Sequence, residues 1–369
     1  MAKKAYIGVD GVARKIKKGY IGVDGIARKI KKAYIGVGGV ARPCWSGGEL
    51  TYYGEITPLS AEGERLAATS IGNYALFGGG LGQSTAVSSV DAYDTKLAKT
   101  TTSENLQSGK YSLAATHNEN YAIFGGGVFS LATVDAYNKA LEKTSADALK
   151  EGRRDLAATN IGQYALFAGG MKSDDETTSN KVDVYDGLLA HTTAPNLSVA
   201  RWWLAAATVG NYFAAFVGGL RESGTIYKSA TVDFYDASLA ATTSTISAQG
   251  YGMPAASVGD YAIFFASGVG FHIIDKHKSI TTVATTFPAR SEATATSVGN
   301  YALFGTGYRS GDYYTDVVVL NEKLEQTLAT PLKNARSFAA AGSVGDYAIF
   351  AGGFDSRNRM TSAEAYAIL

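Results

Sequence analysis

The sequence predicts an all-β chain: a seven-bladed β-propeller preceded by a short arm of β-hairpins. Three observations carry this. A 14-residue repeat fills the first 48 residues, and a second repeat of 40 to 49 residues, marked by an apolar run behind a small turn, fills the rest. The composition suits a packed core, with 46% hydrophobic and 18% charged residues and only six prolines. The 43 glycines have no three-residue period, which excludes collagen, and the single cysteine, Cys44, excludes a disulfide scaffold. No run approaches the ~18 apolar residues of a membrane span.

The arm comes first. KKAYIGVDGVARKI is followed by KKGYIGVDGIARKI and KKAYIGVGGVARPC, with Tyr6, Tyr20 and Tyr34 fixing the period. Each unit holds a two-residue hairpin signal, Asp10-Gly11, Asp24-Gly25 or Gly38-Gly39, whose residues tolerate the positive φ of a type I′ turn. Such turns place Val9 opposite Val12, Ile7 opposite Arg14 and Ala5 opposite Ile16, so the arm reads as a short β-meander or set of hairpins. Residues 1–45 hold eight Lys and three Arg against Asp10 and Asp24, a balance of +9; the whole chain carries +1, so the remainder carries −8. A basic appendage is joined to a mildly acidic body. The lysines read as guards of exposed strand edges rather than as a nucleic-acid surface, because one Tyr per unit gives little aromatic interleaving. Hairpins this short are marginal alone, so the apolar face is expected to bury against copies of itself, giving a homo-oligomer, or against another protein.

The body begins near residue 49. Its landmarks are GNYALFGGG, ENYAIFGGG, GQYALFAGG, GNYFAAFVGG, GDYAIFFASG, GNYALFGTG and GDYAIFAGG, led by Tyr74, Tyr121, Tyr164, Tyr212, Tyr261, Tyr301 and Tyr347. Each unit divides into four strands: a small-residue strand such as LAATSIG, the apolar run, a Val-Asp-x-Tyr strand, and a Thr-rich outer strand. Val-Asp-x-Tyr recurs at Asp91/Tyr93, Asp135/Tyr137, Asp183/Tyr185 and Asp233/Tyr235, and returns as Glu364/Tyr366. Unit seven stops at its third strand. Leu50–Leu66 repeats the 16-residue spacing of Leu97–Leu113, so residues 50–58 are expected to supply the missing outer strand and close the ring. The domains are then 1–48, the arm, and 49–369, the propeller.

Two resemblances follow from these residues. KKAYIGV, GVARKIKK and GVARPCW resemble the tandem repeats that open tail proteins of phages and prophages of Gram-positive bacteria, which implies attachment to other tail proteins and a place on the virion. The apolar run ending in Gly-Gly, followed by a Tyr-bearing strand, resembles the Kelch repeat, with the doublet intact at Gly79-Gly80, Gly126-Gly127, Gly169-Gly170, Gly218-Gly219 and Gly352-Gly353 and altered in units five and six. This resemblance implies a seven-bladed Kelch-type propeller and is silent about function.

Differences between the units indicate where function can sit. The first-strand landmark (Leu66, Leu113, Leu156, Leu204, Met253, Ala293, Ala339) lies eight residues before its tyrosine in every unit, and the third-to-fourth-strand step is constant. The second-to-third-strand interval varies, from Tyr212–Tyr235 at 23 to Tyr261–Ile274 at 13. Strands alternate direction, so variable loops and the segments entering each first strand share one face, where binding residues are expected. Candidates in the loops are Arg221 and Tyr227, Tyr308, Arg309, Tyr313 and Tyr314, and Phe354 and Arg357. The entering segments add Lys110 with Tyr111, Arg153, Arg201, Arg290 and Arg336. These five cations either ring the channel as an anion-attracting mouth or hydrogen-bond carbonyls of their own blades. Trp202-Trp203 suits either sugar stacking or plain packing.

Nothing in the sequence marks a catalytic, metal or cofactor site. His117, His191, His272 and His277 are scattered, and Gly-x-Ser-x-Gly and phosphate-loop patterns are absent. The expected function is therefore a non-enzymatic, virion-associated receptor-binding protein, or adhesin. Its arm anchors to the tail, and its propeller binds a bacterial surface glycan or protein during host cell attachment. The alternatives are a Kelch-type sugar-modifying enzyme of the mutarotase kind and an intracellular protein–protein interaction module. The basic N-terminus lacks the apolar run of a secretory signal, so synthesis and folding in the bacterial cytoplasm are expected.

Overall fold

In the computed structural model the described residues are 48–369, apart from 103, 130 and 173–175, together with the backbone of six strands between residues 6 and 46. Those six strands pair as Tyr6–Val9 with Val12–Lys15, Gly19–Val23 with Ile26–Ile30, and Lys32–Val37 with Val40–Ser46. Val9 stands opposite Val12 and Ile7 opposite Arg14, the register a two-residue connection requires. The three turn pairs and the Ala5–Ile16 pair lie outside the described residues. Each hairpin is a sheet of its own among the described residues. Among the described residues the arm consists of these three hairpins.

The body forms seven four-stranded antiparallel sheets. In the first, Ala67–Ile71, Tyr74–Gly78, Val90–Asp94 and Lys99–Thr101 lie side by side in chain order. Burial along each strand follows its place. The first strand alternates buried and half-buried residues, the second and third are almost wholly buried, and the fourth is largely exposed. That gradient is what a blade needs when its inner strand borders a channel and its middle strands are sandwiched between neighbours. Each first strand packs on that of the next blade, and Ala340–Val344 packs back on Ala67–Ile71, which closes a ring of seven. The last blade takes its outer strand from the other end of the body: Leu50–Ile56 pairs with Ala363–Ile368, with a bulge between Ala365 and Tyr366.

The core lies between blades and repeats one aromatic pair. Phe77 meets Tyr93 edge-to-face at 5.8 Å, and Phe124–Tyr137, Phe167–Tyr185, Phe216–Tyr235 and Phe350–Tyr366 copy it at 5.8–6.1 Å. Each tyrosine hydroxyl donates to a carbonyl of the segment arriving from the preceding blade: Tyr93 to Thr57, Tyr185 to Asp147, Tyr235 to Pro195, Tyr366 to Thr330. The Val-Asp-x-Tyr strand is thus a stitch between blades. Burial raises the pKa of each of these phenols, so they remain donors.

The Gly-Gly doublet makes a second stitch. At Gly169 φ is +66°, and a Cβ there would stand 2.6 Å from the Arg201 carbonyl of the following blade. Without that side chain, the next N–H, of Gly170, donates to the same carbonyl at 2.9 Å. On the opposite face the third-to-fourth-strand turns of six blades share one design. Asp94, Asp186, Asp236 and Asp275 each accept from the backbone N–H groups two and four residues on, and Asn138 and Asn321 do the same with their amide oxygens.

Candidate functional site

The site is built by the segments that enter each first strand. Three residues before the landmark stand Lys110, Arg153, Arg201, Arg290 and Arg336, all 0–2% exposed. Each is neutralised within its own blade: Lys110 by Asp135 at 3.0 Å, Arg153 by Asp183, Arg201 by Asp233 at 2.7 Å, Arg290 by Asp316 in two bonds of 2.7 and 2.8 Å, and Arg336 by Glu364. The arginines also donate to carbonyls of their own blade, among them Phe167, Phe216, Thr306 and Gly352. Burial lowers the pKa of Lys110, Arg201 and Arg336, and the paired carboxylate opposes the shift in each case. These five cations therefore do not form an anion-binding mouth. Their charges are matched within the blade, and for four of them the partner is the buried acid of Val-Asp-x-Tyr or its Glu364 counterpart, whereas Arg290 uses Asp316.

One residue further on, the chain forms a bridge to the residue after the Gly-Gly position: Glu64 to Leu81, Tyr111 to Val128, Arg154 to Met171, Trp202 to Leu220, Ser291 to Tyr308 and Ser337 to Phe354. Trp202 is 5% exposed in this bridge and belongs to the packing, not to a binding surface.

The next position faces the channel. Arg65, Ser112, Asp155, Trp203, Gly252, Glu292 and Phe338 all have φ between +51° and +58°. Their backbones join around the ring. Arg65 N–H donates to Phe338 O, Ser112 to Arg65, Asp155 to Ser112, Trp203 to Asp155, Gly252 to Trp203 and Phe338 to Glu292, at 2.8–3.1 Å. Only glycine adopts this conformation freely, and other residues cost on the order of 1–3 kcal/mol there. Six of the seven blades nevertheless carry a side chain at this position, six different ones.

Together these residues line a cavity of about 480 Å³ at the channel mouth, with Tyr251, Ser291 and every landmark residue but Met253 completing its wall. Its chemistry is mixed. The Arg65 guanidinium lies 4.2 Å over the Phe338 ring. Asp155 pairs with Arg154 at 2.8 Å. The Trp203 and Tyr251 rings are 5.8 Å apart and nearly parallel, at 12°, with Lys228 5.3 Å over Tyr251. Burial pushes the Glu292 carboxyl up, opposed by Arg65 and a hydrogen bond from Ser337 and reinforced by Glu64. Such a mouth can stack a ring, accept hydroxyl protons and offer a positive fork.

Of the residues singled out in the sequence, Trp203 alone lines this cavity. The others sit around it on the variable face. Arg221 lies 5.9 Å over Tyr227 on a hairpin of Leu220–Ser223 and Thr225–Lys228. Tyr308, Tyr313 and Phe354 form one aromatic cluster, with centroids 5.1 and 6.0 Å apart. Tyr314 stacks under Arg290 at 4.0 Å, Tyr111 meets the exposed Phe129, and Arg309 and Arg357 are exposed. Arg65, Asp155, Glu292, Phe338 and Tyr251 escaped notice. The signal was present: the residue just before each landmark reads Arg, Ser, Asp, Trp, Gly, Glu, Phe, next to a landmark that is always apolar and is Leu in four units. Among the described residues no group of three or more His, Cys, Asp or Glu is placed to hold a metal. His191 is instead taken up by Asp183 at 2.8 Å, and His272 by Thr282 at 2.8 Å.

Fold and site together define a seven-bladed β-propeller with one mixed-polarity cavity at the mouth of its channel. No family model matches the chain, and no curated protein matches it. Among solved structures it is similar to one described as "Structure of YjhT", at 11% identity and a TM-score of 0.55, over 84% of this chain and 96% of that one. At that identity the likeness shows the fold alone. Since 789 solved chains match, the fold is too widely shared to choose a function.

Proposed function

We propose that the protein is a non-enzymatic binding protein of a phage virion. In this reading the basic arm anchors it to tail proteins, and the variable face of a Kelch-type propeller attaches it to a receptor on the host cell. The observation that carries the reading is the contrast between the two faces. On one face the third-to-fourth-strand turns of six blades repeat a single Asp/Asn-capped design. The other face presents six different side chains at one strained backbone position, around a cavity flanked by aromatic hairpins. Strain kept at equivalent positions with unlike side chains supports recognition more readily than packing. The arm's resemblance to tail-protein repeats supports the location.

One observation favours a second reading, a sugar-modifying enzyme: Glu292 is a carboxyl held above its ordinary range beside Arg65 in the cavity, which suits general acid–base work. A single experiment separates the two. Labelled full-length chain is applied to candidate Gram-positive host cells, alongside turnover assays on free sugars. Adhesion that Trp203→Ala weakens, without turnover, supports the receptor-binding reading. Turnover that Glu292→Gln abolishes, without adhesion, replaces it.

A further inference from the structure

Arg65 lines the mouth without the salt bridge that the buried cations of the entering segments have. Lys110, Arg153, Arg201, Arg290 and Arg336 each meet an acid, Arg154 meets Asp155, and Arg359 meets Glu64 at 2.9 Å. The Arg65 side chain has neither a hydrogen bond nor an ion pair within salt-bridge distance among the described residues; the Phe338 ring supports it, and the Glu292 carboxyl is its charged neighbour. A guanidinium packed on an aromatic face without a hydrogen-bond partner keeps its N–H donors available. Those donors form a bidentate receptor for a carboxylate or phosphate. Around the same cavity lie the parallel rings of Trp203 and Tyr251, with the Lys228 ammonium over Tyr251, and the carboxyl groups of Asp155 and Glu292. The volume, about 480 Å³, falls within the roughly 300–1,000 Å³ of small-molecule sites.

We infer that the mouth binds an anionic saccharide. Its carboxylate or phosphate sits on Arg65, its apolar ring face lies on the Trp203–Tyr251 platform, and its hydroxyls donate to Asp155 and Glu292. A neutral sugar would leave the Arg65 fork unfilled. A simple anion would leave the aromatic platform unused. The inference rests on the proposed function insofar as the variable face is the recognition face, and it names the chemistry recognised. Bringing an anion into the cavity also favours the protonated form of Glu292, whose other charged neighbours are Arg65 and Glu64, with the Tyr313 phenol of the adjacent hairpin near enough to feel its charge.

The test uses the full chain and three probes: an oligosaccharide ending in glucuronic acid, the same oligosaccharide ending in glucose, and a short glycerol-phosphate oligomer. Titration calorimetry should give one charged probe at least ~10-fold tighter binding than the glucose-ended probe, a difference of about 1.4 kcal/mol. The better of the two charged probes identifies a uronic acid or a phosphate as the source. Arg65→Gln should reduce the preference to within about twofold, with an unchanged melting temperature. Should that variant not fold, Arg65→Lys, which keeps the charge but loses the bidentate fork, should also lower the preference. Trp203→Ala should weaken charged and neutral probes alike. Equal binding of the glucose-ended probe, or a preference unaltered in the Arg65 variants, overturns the inference. So does binding of none of the probes. If cells are still bound in any of those outcomes, the proposed function survives while the inference falls. Tight binding of a charged probe without adhesion to any cell leaves the inference standing and removes the receptor role.

Discussion

Replacing Arg336 by methionine tests whether the buried cations hold the propeller together. Arg336 is 0% exposed and donates to Glu364, to the carbonyls of Gly352 and Ser362 at 3.1 and 2.8 Å, and to that of Asn334 at 3.2 Å. Glu364, also 0% exposed, takes a 2.6 Å bond from Tyr52 of the strand that closes the ring. Methionine fills similar space but leaves a buried carboxylate without its cation, which costs about 3–5 kcal/mol. Unfolding entropy of about 2.1 cal/mol/K per residue over 369 residues is close to 0.8 kcal/mol/K. A cost of ~4 kcal/mol therefore lowers the melting temperature by about 5 °C. Scanning calorimetry of Arg336→Met, Glu364→Gln and the double variant measures this. The double variant should recover about 2 kcal/mol of the summed single losses, because neither charge is then left alone. A single variant melting within about a degree of the wild type would refute the reasoning. Were Arg336 a ligand contact instead, the variant would keep its melting temperature and lose binding.

Three further outcomes are expected. Deleting residues 1–48 should leave one cooperative melting transition. Deleting 1–60 removes Leu50–Ile56 from Ala363–Ile368 and Thr57 from the Tyr93 hydroxyl, so it should lower and broaden that transition. Gly169→Ala, with φ +66° and a carbonyl 2.6 Å from the new Cβ, should destabilise by more than ~2 kcal/mol, whereas Gly224→Ala, with φ +76° and nothing within 4 Å, should cost only its backbone strain of about 1 kcal/mol. Burial holds the His117 and His272 pKa below 6.5. The native state therefore keeps them neutral while the unfolded chain takes up protons, and stability should fall as pH drops below about 6.5. Urea titrations of His117→Gln and His272→Gln should show a shallower fall over that interval.

The architecture was legible because a propeller repeats its own evidence. Seven tyrosines behind Gly-Asn, Gly-Asp and related turns mark the second strands, and the matching 16-residue spacing marks where Leu50–Ile56 belongs. The pairing of cations with acids was less legible, although both partners stood out separately. Arg201 and Asp233 are 32 residues apart, and only the fold of the blade brings them within 2.7 Å. The blades that depart from the rule support it. Blade five has Gly250 where others have a cation, and His272 faces Phe264 in the register where Asp135 faces Phe124. Blade six places Val318 in that register, and Asp316, two residues earlier, reaches Arg290 instead. Blade one has Gly63, and its Asp91 takes bonds from Ser60. Trp202 and Trp203 show the limit of adjacency as a guide. One is fixed in a bridge to Leu220, and the left-handed turn that follows swings the other into the mouth.

That turn explains how one scaffold can serve recognition without losing its fold. In five of the seven blades the entering segment first buries a cation on an acid, then bridges to the strand end beside it, and only then turns through positive φ toward the channel. In those blades two residues of structural commitment precede the one that lines the cavity. The backbone links from Phe338 through Arg65, Ser112, Asp155 and Trp203 to Gly252 hold the turns in place whatever side chains they carry. Substitution at the mouth therefore changes the cavity's chemistry at little cost to stability, whereas substitution three residues before the landmark opens a charged defect inside a blade. Specificity can vary at Arg65, Asp155, Trp203, Glu292 and Phe338 because stability is fixed at Lys110, Arg153, Arg201, Arg290 and Arg336.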